Sequence, residues 1–478
     1  MDGSGGPPPH ADTRIESAPA TGVECSVGLT LIRKSEGGAK KNPRIALVLA
    51  GGAVSGGAFK VGGLKALNDF FVERKVTDMD IYVGLSAGAI LGASLAAGIT
   101  PDEMIKVLDG TSTRLDQLRP FDFYHPNWGE FASRPAKFSY DLLTYIPSIA
   151  SDFARGLHGL PDAVGPAARE FVRSPSYTRF ESLAMALLDH VSPKREIPAL
   201  TNHIPSGFFD NASLERWLRR SLEKIKMPND FRAFERKRRS RLYITACDLD
   251  TAERVIFGAD ENCELTISQA VQASTALPIF YKPARINGVD YVDGGVRHTA
   301  NIDVAIEKGA DLIICYNPFR PFLNRVDDES DHKDYFADGR YLADRGLKVV
   351  INQVFRTLLH SRLKLGIQRY LSDDRFQGDI VLLEPRERDS NYFATNPLAF
   401  WKRAEAVQHG FESVRTTIEQ NFDQLEAVFQ RYGLHMDRTA ARRRAERARV
   451  AQGWESDVHG EPDTQPASEA PSLRLVGG

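Results

Sequence analysis

The residues Gly84-Leu85-Ser86-Ala87-Gly88 set one serine between two glycines, just after a β-branched run and just before a run of small residues. This is the G-x-S-x-G spacing of a nucleophile elbow, in which a tight strand-to-helix turn thrusts the hydroxyl outward and the flanking glycines relieve the crowding. The chemistry it allows is acyl transfer through a serine ester; the plainer alternative is a structural turn. A second candidate lies upstream, in Gly51-Gly52-Ala53-Val54-Ser55-Gly56-Gly57. It lacks the G-x-G-x-x-G of a dinucleotide site and the Gly-Lys of a nucleotide phosphate loop. What fits is a loop whose backbone N–H groups, backed by a helix N-terminus, face a developing oxyanion, with Gly51, Gly52, Ala53, Gly56 and Gly57 as the candidate positions. A turn that lets a helix pack closely on a sheet would use the same residues. A serine also needs a base. Tyr291-Val292-Asp293-Gly294-Gly295 carries an acid out of a strand into a glycine turn, so Asp293 is placed to activate Ser86 directly. The competing arrangement is a Ser-Asp-His triad completed by His298, His360 or His409, and a strand-end Asp before glycines is also a common turn former.

These residues need elements to hold them. Residues 44–50 (RIALVLA) read as a buried strand, and Val61, Leu64, Leu67 and Phe71 then recur at helical steps. The plan repeats at 80–85 and 89–97, so strand, helix, strand, helix predicts a parallel sheet with right-handed crossovers. Strands resume at 241–247, 254–257, 290–292, 311–316 and 379–383. Long helices are expected at 346–371 and through Val407, Phe411, Val414, Ile418, Phe422, Leu425 and Phe429. The fold class expected is α/β, a central mostly parallel sheet flanked by helices. Residues 1–42 read as a disordered tail, 43–432 as one hydrolase domain with a helical insertion or lid at 111–240, and 433–478 as a tail, basic and then acidic. The insertion is rich in aromatics, Phe121, Phe123, Trp128 and Tyr140 among them, which suit a lid, an acyl-chain pocket or an ordinary helical core.

Composition narrows the classes. The 478 residues are 42% hydrophobic and 26% charged, against a disordered or polytopic membrane protein. Its 61 Lys and Arg balance 63 Asp and Glu to a net charge of −2, which argues against a chain whose whole surface binds nucleic acid. Four scattered cysteines form no C-x-x-C pair, so neither a disulfide framework nor a zinc site is expected. The first residues lack the basic and apolar regions of a secretory signal. Residues 81–100 are uncharged over the length of a membrane span. Their glycines and early β-branched residues fit a buried strand, turn and helix instead.

Together the three site elements resemble the patatin-like phospholipases, serine lipid acyl hydrolases with a Ser-Asp dyad and no catalytic histidine. LVLAGGAVSGGAFKVGGLKAL is similar to that family's first strand, glycine loop and helix, VGLSAGAILGASLAAG to its elbow, and ASTALPIFYKPARINGVDYVDGG to the segment leading into its Asp-Gly-Gly turn. The resemblance implies Ser86 as nucleophile, Asp293 as base, the loop from Gly51 to Gly57 as oxyanion hole, Gly84, Gly88, Gly294 and Gly295 as turn glycines, and no cofactor or metal. The glycine loop departs from the family's three glycines followed by any residue and Arg or Lys-Gly. Ala53 and Val54 interrupt it, and the basic residue is missing. A lipid-binding protein that keeps the fold without the chemistry is the alternative function.

The expected substrate is a phospholipid or related acyl lipid, met by a cytoplasmic protein in peripheral contact with an anionic membrane; nucleic acid is not an expected partner. Three basic stretches could make that contact: 232–241, 438–449, and Lys348, Arg356, Arg362, Lys364 and Arg369 beside an apolar stripe in 346–371. Each could equally be a solvated face.

Overall fold

The computed structural model describes residues 23–35, 38–175, 179, 182–183, 204–324, 341–387, 389, 392–393 and 397–452. Most of the N-terminal tail expected at 1–42, and the acidic end of the tail expected at 433–478, lie outside the described residues. The described chain divides into two compact units, one of 1–123, 211–277 and 283–478 and one of 124–210 and 278–282.

The first unit is built on ten strands. β1 (Val23–Ser26), β2 (Leu29–Arg33), β3 (Ile45–Leu49), β4 (Ile81–Leu85), β6 (Arg241–Asp248), β9 (Ala284–Ile286), β10 (Val289–Asp293), β11 (Leu312–Tyr316) and β12 (Asp379–Leu383) lie in the order β1-β2-β12-β11-β3-β4-β6-β10-β9, and β7 (Arg254–Phe257) pairs with β6 off that path. The five central strands, β12, β11, β3, β4 and β6, are parallel, and both flanks are antiparallel. β3, β4, β11 and β12 are buried at every residue. Strands covered by helices on both faces read as continuous apolar runs for that reason. The mostly parallel α/β sheet read from the alternating strands and helices is the fold observed. Residues 81–100 divide into β4 and the helix α2 (Ala87–Ala96), and no helix of the described residues is long and apolar enough to cross a membrane.

α1 (Ala53–Phe70) connects β3 to β4. It packs against α11 (Arg403–Gln420) backbone to backbone, because a Cβ on Gly62 would stand 1.8 Å from the Val407 carbonyl oxygen and one on Gly410 would stand 1.9 Å from that of Phe59. No side chain fits between the two helices there. The one long helix expected through 407–429 is two, α11 and α12 (Phe422–Gln430). Asn421 ends the first by donating its Nδ2 to the Thr417 carbonyl at 2.8 Å, a local bond that competes with the helical ladder.

Both tails need correction within the described residues. The stretch 23–33 is ordered as β1 and β2, and β2 pairs antiparallel with β12 through Leu31 and Val381. So short a run is indistinguishable from a loop until β12, far along the chain, offers it an edge. At the other end, α13 (Arg438–Gln452) is a helix with Ala441 and Ala445 buried. Its Arg444 donates to the Asp69 carbonyl at 2.6 Å and its Arg449 pairs with Glu412 at 2.7 Å.

The insertion expected at 111–240 also has different limits. Its ends belong to the first unit: α4 (Pro120–Phe123), α6 (Ala212–Lys224) and α7 (Phe231–Arg238) bury Phe123, Trp217, Leu218, Phe231 and Phe234 there. The second unit contains α5 (Trp128–Arg173) and a parallel pair of short strands, β5 (Gly207–Phe209) and β8 (Ile279–Tyr281). Tyr124, Phe209 and Tyr281 stack as its aromatic centre, with ring separations of 5.4 and 6.3 Å.

Candidate active site

Ser86 occupies the turn between β4 and α2 with φ 54° and ψ −127°, a left-handed conformation that is strained for any residue with a Cβ. The surroundings enforce it. A Cβ on Gly84 would lie 2.6 Å from Ala89 Cα, and one on Gly88 would lie 2.1 Å from the Leu49 carbonyl oxygen. The Ser86 amide donates to Ser274 Oγ at 2.8 Å, and that hydroxyl donates to the Thr245 carbonyl at 2.7 Å. Ser274 belongs to α8 (Ile267–Ser274), so the helix behind the sheet pins the turn. Ser86 is buried, 6% exposed.

Strand register brings the acid to the serine. Leu85 on β4 pairs with Thr245 on β6, and the next β6 residue, Ala246, pairs with Asp293 on β10. Ser86, one residue past Leu85, is therefore level with Asp293. The Gly295 N–H donates to Asp293 Oδ1 at 2.8 Å, and the Ser86 hydroxyl is close enough to favour the Asp293 carboxylate. Gly294 lets this turn close, since a Cβ there would meet Leu85 Cδ1 and the Thr245 carbonyl oxygen at 2.8 Å. Burial pushes the Asp293 pKa up to about 6, opposed by the Ser86 hydrogen bond, the Gly295 N–H and the charge of Lys60.

Lys60 has no counterpart in the reading of the sequence. It lies on α1, fully buried, and donates Nζ to the Ala50 carbonyl and, at 3.1 Å, to that of Gly51. Burial drives its pKa down to about 7, partly offset by Asp293 and Cys315. The ammonium thus draws two carbonyls of the glycine loop inward and reaches Asp293 with its field. A lone lysine within the glycine-rich apolar run AFKVGG was the available signal.

The glycine loop borders the serine. A Cβ on Gly51 would come 3.4 Å from Ser86 Cβ, and one on Gly57 would come 3.3 Å from Ala87 Cβ. α1 begins at Ala53, itself at φ 50°. Gly56 N–H donates to the Gly52 carbonyl and Ser55 N–H to that of Pro397, each at 2.9 Å. Those two amides are committed, which removes Gly56 from the donors expected of this loop. Beside Gly57 and Ala87 opens an apolar cavity of about 70 Å³, lined also by Leu91, Met104, Leu115, Phe123, Trp217 and Phe400. Phe123 and Trp217 place part of the aromatic-rich stretch at this cavity.

Two of the candidate histidines have other neighbours. His360 Nε2 lies 3.3 Å from Glu384, and the backbone N–H of His298 donates to the Gly294 carbonyl at 3.1 Å while its ring sits in the field of Arg254 and Asp303. Asp293 is the carboxylate at the serine.

A family model described as patatin-like phospholipase matches residues 47–306, more than half of the chain and all three site segments. Among solved structures, VipD from Legionella pneumophila shares 16% identity at a TM-score of 0.31, the match covering 85% of this chain and 72% of that one. Full-length ExoU of Pseudomonas aeruginosa, solved with SpcU, shares 15% at 0.27 over 94% and 78%. Human GIVD cytosolic phospholipase A2 shares 9% at 0.27 over 82% and 59%. With the elbow, the glycine loop and the Asp-Gly-Gly turn inside the matched residues, the chain belongs to the patatin-like phospholipase family, a family of lipid acyl hydrolases.

Proposed function

We propose that the protein hydrolyses carboxylic esters of phospholipids or related acyl lipids through a Ser86-Asp293 dyad. The observation that carries this reading is the register that sets the strained, buried Ser86 level with the buried carboxylate of Asp293. Asp293 takes the hydroxyl proton as Ser86 Oγ bonds to the acyl carbon, and the carbonyl electrons move to oxygen. Backbone amides from Gly51 to Ala53 and the N-terminal end of α2 stabilise that oxyanion. As the carbonyl reforms, the ester C–O bond breaks, and protonated Asp293 returns its proton to the leaving alcohol. Water then attacks the acyl-serine with Asp293 again as base, releasing the fatty acid and restoring the hydroxyl. The apolar cavity beside Gly57 and Ala87 suits an acyl chain, and burying each methylene there is worth about 0.8 kcal/mol.

A fluorophosphonate probe should label Ser86 and leave Ser86→Ala unmodified, which a lipid-binding protein without chemistry would not do. Ser86→Ala and Asp293→Ala should each lower ester turnover by about 10⁴-fold or more, while His298→Ala stays within about threefold of the parent. Near-normal turnover by folded Asp293→Ala would remove the dyad.

A further inference from the structure

α10 (Leu347–Leu371) is apolar on two opposite faces. Leu363 and Ile367 are buried against the sheet. On the other side Leu347, Val350, Ile351, Val354, Phe355 and Leu358 are exposed, Leu347 by 74% and Leu358 by 53%. Their spacing of three and four residues makes one continuous stripe. A helix apolar all round belongs in an interior, so a stripe left facing outward calls for a second cover.

Charge and position select the cover. None of the 25 residues of α10 is acidic, whereas Arg362, Lys364 and Arg369 are exposed on it. Part of each of the other two basic stretches is turned to internal work. Arg238 donates to the Ala96 and Thr77 carbonyls and Arg241 pairs with Glu235. In α13, Arg444 and Arg449 are bonded as described above, and Arg442 pairs with Glu419. α10 is also tied to both borders of the catalytic site. Arg362 donates to the Val296 carbonyl at 2.5 Å, just past Asp293, and Thr299 Oγ1 donates to the Leu359 carbonyl at 2.8 Å. Arg356 donates to the Pro318 carbonyl at 3.0 Å, and Pro318 packs on Gly52, where a Cβ would meet its Cγ at 3.0 Å.

We propose that the outer face of α10 docks on an anionic phospholipid bilayer, with Val354, Phe355 and Leu358 entering the interface and Lys364 and Arg369 meeting headgroup phosphates. The choice of a bilayer rests on the lipid-hydrolase reading above; the exposed stripe does not. An apolar face bordered by basic residues binds such a surface through buried area together with charge attraction.

The test uses the full chain carrying Ser86→Ala, so that vesicles are not degraded, sedimented with phosphatidylcholine vesicles with and without phosphatidylglycerol. Binding should favour the anionic vesicles and weaken as salt rises. Val354→Asp with Leu358→Asp should weaken it by about tenfold or more, and Lys364→Gln with Arg369→Gln by about threefold to tenfold. With Ser86 intact, the Val354→Asp, Leu358→Asp variant should lose vesicle hydrolysis and keep hydrolysis of a monomeric short-chain ester within about twofold. Undiminished vesicle binding by that variant overturns the proposal. So does a parent that is a dimer and a variant that is a monomer with equal vesicle binding, which would make the face a contact between two copies. If vesicle binding behaves as expected but no ester is cleaved by the parent, the catalytic reading falls and the docking surface stands.

Discussion

At Asp293 of the proposed dyad, proton affinity is set by three neighbours working against burial. A carboxylate base acts only when ionised, so with the Asp293 pKa pushed up to about 6, kcat/KM should fall as pH drops through about 6. Lys60 is one of the groups that hold the pKa down from a still higher value. Lys60→Met keeps an unbranched side chain, one atom shorter, and removes its charge. Its acid limb should therefore move to higher pH, and kcat/KM below the limb should fall accordingly. A pH profile of both proteins on a monomeric ester measures this; a purely structural lysine would lower the rate and leave the limb where it was. The family's basic residue is missing from the glycine loop here, and Lys60 brings a buried positive charge to the same loop from the helix that follows it.

Among the elements, the approach of α1 to α11 is a demanding one. α1 carries the glycine loop at its start and is held from behind by α11, with Gly62 and Gly410 in backbone contact. Gly410→Ala places a methyl group 1.9 Å from the Phe59 carbonyl oxygen, so the two helices must separate. It should destabilise the protein by about 3 kcal/mol in urea denaturation, and the surviving folded fraction should show lower turnover because the start of α1 moves. The helical period of both segments was legible from Val61, Leu64 and Leu67 and from Val407, Phe411 and Val414. Their partnership was not, because a glycine in a helix reads as a weak former until the neighbour that needs the space is known.

Across the whole molecule, the ordered chain extends past the catalytic residues in both directions. β2 closes one side of the sheet on β12, and α13 returns to the C-terminal end of α1 through Arg444 and the Asp69 carbonyl. Ending the chain after Asp437 should therefore lower stability by about 2–4 kcal/mol, seen as a drop in Tm of several degrees; removal of a mere tail would leave Tm unchanged. Arg444 and Arg449 of α13 are held by such contacts, whereas α10 combines exposed basic residues with an exposed apolar stripe.

The sequence by itself determined the family and the local frames of its motifs. The elbow at Ser86, the glycine loop and the Asp-Gly-Gly turn are contiguous motifs, and buried parallel strands announce themselves as short apolar runs. The central strand-helix alternation, and with it the fold class, was legible for the same reason. What only the tertiary structure decided were relations between distant segments. Asp293 was one acid in a turn until the β4-β6-β10 register set it level with Ser86. Lys60 became part of the site only through the burial that places its ammonium against the loop carbonyls, and α10 became a surface only because one of its two apolar faces is left exposed. Local pattern is written in nearest neighbours along the chain. Proton affinity, burial and exposure are properties of neighbours in space.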